Sequence, residues 1–358
     1  MKILDRYIIR KFLGTFFFSL ALIIVIAVVF DISEKLDDFI ERKAPFNAIV
    51  FDYYFNFIPY FANLFAPLFI FISVIYFTAR MAANTEIIAI LNSGISFKRM
   101  LMPYFLAAGI LAAISFYFNG WVIPHSNKVK LAFENTYIKN PVEFKDRNLH
   151  RQISPGVFMY LESYNNAENI GYRFSLEKIE NRNRVWFLAS DRILWDSTDA
   201  KWRIENYYIR SIEGFNETLK SGQSMDTTLP MAPADFKRRL NIIEAMDTPA
   251  LNEFIKEEKL SGSGNVNAYL VAKYRRSAIP FSTFILMLIG VSLSSRKVRG
   301  GIGAQLGLGV TISFAYILFM QISDTFAING SIPPLLAVWT PNLVFSGIAA
   351  ALLRYAPK

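Results

Sequence analysis

The sequence predicts a membrane-spanning α-helical protein with a β domain inserted between two groups of three helices. Three observations carry that prediction. Six stretches free of Asp, Glu, Lys and Arg approach or exceed the length of a membrane span. A polar segment, residues 124–276, separates the third from the fourth. Basic residues collect at one set of span ends. Hydrophobic residues make up 53% of the 358-residue chain, only a little above the globular average of about 45–50%. It is their clustering, not their abundance, that excludes an ordinary soluble enzyme and a disordered chain.

The first stretch is Phe12–Phe30, preceded by Lys2, Arg6, Arg10 and Lys11. It is longer than a signal-peptide core, and Asp31-Ile32-Ser33 follows it without a small-x-small cleavage site. An uncleaved first span is therefore expected. Tyr53–Ala79 is the second, with Pro59 and Pro67 expected to bend it. Met100–Asn127 is the third; Ser277–Ser295, Gly300–Ser323 and Thr325–Leu353 complete the set. A bilayer core needs about 20 helical residues at 1.5 Å each. In lipid the backbone must satisfy its own hydrogen bonds, and helices do so locally.

Orientation follows from Lys and Arg near the span ends. One set of flanks carries Lys2, Arg6, Arg10, Lys11, Arg80, Lys98, Arg99, Arg296, Lys297, Arg299, Arg354 and Lys358 against Asp5 and Glu86. The opposite loops, 31–52 and 324–333, carry Lys35, Arg42 and Lys43 against seven acids. Both termini are expected in the cytoplasm and the large segment outside it. Much of the net charge of +9 is then membrane topology, and no nucleic-acid partner is expected.

Within the large segment, strands are expected at Gly156–Tyr164, Tyr172–Ile179, Arg184–Leu194 and Lys201–Ile212. Turn residues lie between them at Asn165-Asn166, Asn181–Asn183 and Asp196–Asp199. Trp202, Ile204, Tyr207 and Ile209 alternate with one slip. The spacing suggests a sandwich or open barrel. A helix is expected near 249–259, with Thr248 as its cap and Pro249 in its first turn. Ser261–Gly264 reads as its stop and a linker. The domains are therefore drawn at 1–123, 124–265 and 266–358.

Much chemistry is missing. With no Cys, thiolate metal sites and cysteine catalysis are excluded. There is no phosphate loop, H-E-x-x-H or G-x-S-x-G, so neither an ATPase site nor a catalytic or metal site can be assigned. His125 and His150 are the only histidines and read as surface or junction residues. No charged residue is expected buried within a span as a proton relay. Asn63, Asn119 and Gln321 suit interhelical hydrogen bonds. Gly303-x-x-x-Gly307 permits close helix approach, as static packing or as a mobile seam.

The cytoplasmic segment between the second and third spans is more informative. Thr85 fits a helix cap and Glu86 the first turn, where the helix dipole favours an acid. Ile87, Ile88, Ile90 and Leu91 make a short apolar helix that Asn92-Ser93-Gly94 ends. Two readings stand: a helix resting on lipid, or a docking helix for a soluble partner.

At this point the chain resembles the LptF/LptG family of lipopolysaccharide-export permeases. Leu4-Asp5-Arg6-Tyr7-Ile8 resembles the start of LptG-type members, residues 85–94 the coupling helix, and Gly330-Ser331-Ile332-Pro333-Pro334 the turn into the last span. The resemblance covers nearly the whole chain and is more LptG-like than LptF-like. It implies one half of a type VI-like ABC exporter in the inner membrane of a Gram-negative bacterium, with a periplasmic β-jellyroll. The implied partners are an LptB-like ATPase dimer that uses ATP and Mg, an LptF-like second permease, an LptC-like periplasmic protein and lipopolysaccharide. The chain itself would bind no cofactor.

The resemblance also implies site residues. Thr85, Glu86, Ile87, Ile90, Leu91 and Gly94 would couple to the ATPase. Phe30, Phe61, Phe65, Phe69 and Phe314 are candidates for the lipid cavity; for the three phenylalanines of the second span, plain lipid-facing anchoring stands beside that reading. Gly303 and Gly307 are candidates for the gate or its packing. Family members often carry Lys near the outer end of the first span; here Asp31 and Glu34 stand there. Lys35, Arg42 and Lys43 are left as headgroup candidates, or as a solvated loop paired with its own acids. A membrane-anchored assembly protein without transport is the alternative function. A membrane enzyme would need a catalytic constellation that is not visible, and a lipoprotein-releasing permease would resemble four spans.

Overall fold

The computed structural model describes residues 2–138, 149–165, 168–181, 183–197, 199–214, 216–233, 243–260, 262–296 and 301–355. Helix α1 is Ile3–Glu41. A π-helical segment, Ala48–Tyr54, leads into α2, Phe55–Ala83; α3 is Glu86–Asn92 and α4 is Phe97–Tyr117. A second π-helical segment, Phe118–Val122, joins α4 to α5, Ile123–Tyr137. Six strands follow: β1 Leu149–Ser154, β2 Val157–Asn165, β3 Ile170–Glu180, β4 Asn183–Asp196, β5 Lys201–Glu213 and β6 Asn216–Thr227. Then come α6 Thr248–Leu260, α7 Val266–Ser294, α8 Gly301–Ile328 and α9 Pro334–Arg354. The chain divides into a helical unit, residues 1–139, 244–249 and 267–358, and a β unit, residues 140–243 and 250–266. The first unit thus runs past the expected boundary at 123, because α5 continues the third span.

Among the described residues, six helices are long and apolar enough to cross a membrane. Helix α2 is apolar on all sides and packs on two of them, as such helices do. Ile70, Val74 and Phe77 join Ile8, Phe12 and Phe16 of α1 and Tyr104 of α4 in one core. Phe71 and Ile75 join Ile285 and Ile289 of α7, Tyr316 of α8 and Phe345 of α9 in another. The α1 residues recur every fourth position, the spacing of one helix face. Side chains of α2 press on the backbone of its neighbours where these carry glycine. A Cβ on Gly309 would lie 2.3 Å from Ile75 Cδ1, and one on Gly290 would lie 2.9 Å from Val74 Cγ1. Pro59 and Pro67 both lie within α2, with no break in the helix.

Several polar side chains inside this unit are paired across helices. Asn63 and Asn119 exchange amide hydrogen bonds at 3.1 Å each, and Ser115 Oγ donates to Asn63 Oδ1 at 2.9 Å. One expectation is corrected. The α7 and α8 helices continue beyond the uncharged runs and bring charge into the packing. Asp324, taken as a loop residue, lies within α8 at 2% exposure and pairs with Arg275 of α7. Arg275 Nη2 also donates to Gln321 Oε1 at 3.3 Å. An uncharged run reports bilayer thickness, whereas hydrogen bonding decides helix length.

In the β unit the strands pair antiparallel in sequence order, β1 to β6. The described connectivity is that of a meander; the crossovers of a jellyroll are absent among the described residues. Met159, Leu161, Phe174, Leu176, Leu188, Ile193, Trp202 and Ile204 form its core. The four expected strands are present within about three residues at each end; β1 and β6 were missed. Strand β6, mostly exposed, has no apolar alternation to reveal it. The slip in β5 is a crease that crosses the sheet. Pairing skips Glu162, Arg173, Asp191 and Asn206 in one row, and Arg173 and Asn206 adopt φ of 50° and 52°. One uncounted residue per strand lets Tyr207 and Ile209 pack on the same core as Trp202 and Ile204 despite the change of parity. Gly222 is required opposite the crease, since a Cβ there would lie 2.7 Å from Tyr207 Oη.

Candidate functional site

Helix α3 is two turns long, so its faces are set by tertiary contacts rather than by its own stability. Ile87 is 1% exposed, and Ile90 and Leu91 pack partly buried against the core of α1, α2 and α4. Ile88 points the other way, 51% exposed. The apolar face expected to meet a partner is thus mostly turned into the chain's own core. The outward face is Thr85, Ile88, Ala89 and Asn92, all exposed. Thr85 does not cap the helix: its φ is 61° and its hydroxyl donates to Asn84 O at 2.6 Å. A β-branched residue is costly in that region, and the joint between α2 and α3 is therefore strained. Gly94 ends the segment at φ 83°, where a glycine avoids the same cost.

The base of α1 grips both ends of this segment. Tyr7 Oη donates to Glu86 Oε2 at 3.0 Å, and Asn84 Nδ2 donates to Glu86 Oε1 at 3.1 Å. Beyond α3, Arg99 Nη1 and Nη2 donate to Asp5 Oδ1 and Oδ2, each at 2.8 Å. The fork geometry of this pair adds orientation as well as attraction. Asp5 is 6% exposed and also accepts from the Lys2 backbone at 3.0 Å. Two residues of the stretch Leu4–Ile8 are thus explained: Asp5 holds α4 and Tyr7 holds α3. Sequence reasoning missed both, and only the spacing of 79 and 94 residues closed by the fold brings these groups together.

The other candidates are spread along the helical unit. Lys35 is not free: its Nζ donates to Asp31 Oδ1 at 2.8 Å and to the Tyr53 hydroxyl, and lies 4.7 Å over the Tyr53 ring. Tyr54 Oη donates to Asp31 Oδ2 at 3.1 Å. Around this cluster pack Phe39, Phe57 and Phe133. Arg42 Nη1 donates to Thr136 O at 3.1 Å, while Lys43 is exposed at φ 51°. Phe30 and Phe314 are 72% and 54% exposed. Phe61 stacks on Phe57 at 3.9 Å between centroids, and Phe65 and Phe69 pack partly buried on the main core. A Cβ on Gly303 or Gly307 would meet nothing within 4 Å; close packing falls instead to Gly309 and Gly290. Among the described residues no cluster of His, Asp and Glu is arranged to hold a metal ion.

Residues 6–355 match the family described as lipopolysaccharide export system permease LptF/LptG. No curated protein matches the chain.

Proposed function

The chain belongs to the lipopolysaccharide export permease family LptF/LptG, and from that premise we propose that it is one permease of an ATP-driven exporter of the inner membrane. In this reading it takes lipopolysaccharide from the membrane and passes it through its periplasmic β domain to a periplasmic bridge. The ATPase dimer, which uses ATP and Mg, is LptB-like; the second permease is LptF-like; the bridge begins with an LptC-like protein. The basic bias of one set of span ends supports termini in the cytoplasm.

Energetics favours a separate motor. Drawing acyl chains from a bilayer costs about 0.8 kcal/mol per CH₂, and the chain carries no phosphate-loop motif. The observation that carries the docking part is the outward face of α3: an exposed Ile88 on a short helix whose Ile87 is buried and whose Ile90 and Leu91 are partly buried, with Glu86 bonded to Tyr7 of α1 and the following α4 tied to α1 through Arg99 and Asp5. The gate candidates are α1 and α8, whose exposed apolar residues include Leu22, Val25 and Phe30, and Phe314, Leu318 and Ile322.

Affinity purification from native membranes tests the proposal. The wild-type chain is expected to bring down an ATPase, a second permease and lipopolysaccharide. Ile88→Asp is expected to lose the ATPase and keep the second permease. Recovery of the wild-type chain with the second permease but no ATPase would overturn the motor-driven reading in favour of an assembly protein.

A further inference from the structure

The cytoplasmic ends of α1 and α2 enclose a cleft whose described lining carries two cations, Lys11 and Arg80, against one acid, Glu86. Its walls include Tyr7, Lys11, Tyr76, Arg80 and Glu86. Lys11 immediately precedes the uncharged run Phe12–Phe30, and Arg80 immediately follows the uncharged run Tyr53–Ala79. Both cations therefore lie at one depth, where the hydrocarbon of a bilayer gives way to its headgroups. Neither forms a salt bridge with a carboxylate among the described residues. The one acid in the wall, Glu86, accepts from the neutral donors Tyr7 and Asn84, and Lys11 Nζ lies 5.8 Å from the Tyr7 ring centroid, so the lining keeps one positive charge in excess. The Tyr76 side chain, 38% exposed, adds a phenol hydroxyl. Two turns beyond Lys11 on the same face of α1 stands Phe18, 69% exposed, an apolar surface that begins where an acyl chain would.

We infer that this cleft binds the phosphate of a phospholipid from the leaflet on the side of the chain termini. A phosphodiester has one negative charge and two non-bridging oxygens. A guanidinium meets them with its fork, and an ammonium meets them as a point charge. A phosphate bound here bridges α1 to α2 beside the Tyr7–Glu86 contact, and so stiffens the joint from which α3 hangs. The depth of the cations and the neighbouring Phe18 select a lipid over free phosphate. This site is separate from any path for exported glycolipid and does not depend on the docking role of α3.

The test uses the full chain, delipidated in detergent and titrated with a short-chain phosphatidylglycerol, with bound lipid counted by native mass spectrometry. The Lys11→Ala/Arg80→Ala variant is compared with Lys98→Ala/Arg354→Ala, which removes two exposed positive charges elsewhere on the same side. The first pair is expected to weaken binding about 30-fold, at about fivefold per basic residue. The second pair should change it by less than about threefold. Tyr76→Phe, which keeps all charges, should weaken it a few-fold. Equal loss in both double variants would overturn the site in favour of diffuse attraction, as would absence of binding to the wild-type chain. Displacement of the lipid by an equal concentration of inorganic phosphate would overturn the lipid assignment.

Discussion

Gly309→Ala should destabilise the helical unit in the wild-type chain and stabilise it once Ile75 has become Val. The added Cβ would lie 2.3 Å from Ile75 Cδ1, while the next neighbours, Phe71 Cε1 at 3.6 Å and Ile75 Cγ1 at 3.7 Å, are ordinary contacts. One terminal methyl is thus the whole obstruction. Ile75 is 0% exposed, so that methyl has little room to swing. Overpacking a core costs about 1–3 kcal/mol, and Ala in place of a helical Gly returns about 1 kcal/mol. The net expectation is a loss of about 1 kcal/mol. Valine lacks the Cδ1 atom, and Ile75→Val alone costs about 0.5–1.5 kcal/mol. In that background the clash is gone and Gly309→Ala should gain about 1 kcal/mol. The coupling between the two sites is then about 2 kcal/mol, large for a pair of conservative changes. Thermal unfolding of the four purified proteins in detergent measures it. A Gly309→Ala penalty of equal size in both backgrounds would refute the account of α2 against α8.

Other expectations concern the clasps, the β core and the open glycines. Asp5→Asn keeps the shape but removes the charge that Arg99 grips at two points; under the proposed function, ATP-coupled lipopolysaccharide release by the assembled complex should fall. Exchanging the pair as Asp5→Arg/Arg99→Asp should restore part of it, and the absence of any rescue would count against the clasp. Trp202 is fully buried and its Nε1 donates to Met231 O at 2.9 Å. Trp202→Phe leaves that carbonyl unpaired at a cost of about 1–3 kcal/mol, read as a lower unfolding midpoint of the β unit by tryptophan fluorescence of the remaining residues. Gly303→Ile should leave the chain's own stability within about 1 kcal/mol of the expected glycine-to-isoleucine propensity change, because no described residue packs there. If a second permease lies against α8, the same change should reduce its co-purification severalfold.

Composition alone settled little here, whereas the spacing of charge settled much. The uncharged runs fall chiefly in helix, although Thr325–Leu353 begins in the last turn of α8, crosses a break at 329–333 and then fills α9; a bilayer-length stretch without charge has few other stable forms. The runs did not show where the helices end: α8 carries Asp324, and α5 runs on to Tyr137, because backbone hydrogen bonding continues into polar sequence as long as side chains find partners. In the β unit the alternating strands were legible, and so was the slip in β5. The edge strands were not: β6 is mostly exposed and needs no apolar pattern, and β1 is six residues long with only Leu149 and Ile153 packed on the core.

The position, extent and termination of α3 were likewise written in residues 85–94. Which of its isoleucines faces outward was not. On a helix of two turns, Ile87 and Ile88 differ only in direction, and direction is fixed by what α1, α2 and α4 offer as a surface. The same holds for Asp5 with Arg99 and Tyr7 with Glu86: their chemistry is visible in the sequence, but their meeting requires helices distant in the chain to pack side by side. Local pattern thus determined which segments are helix, strand and span. Packing decided which side chains are held and which are free to meet something else, since burial is a property of neighbours brought together by the fold.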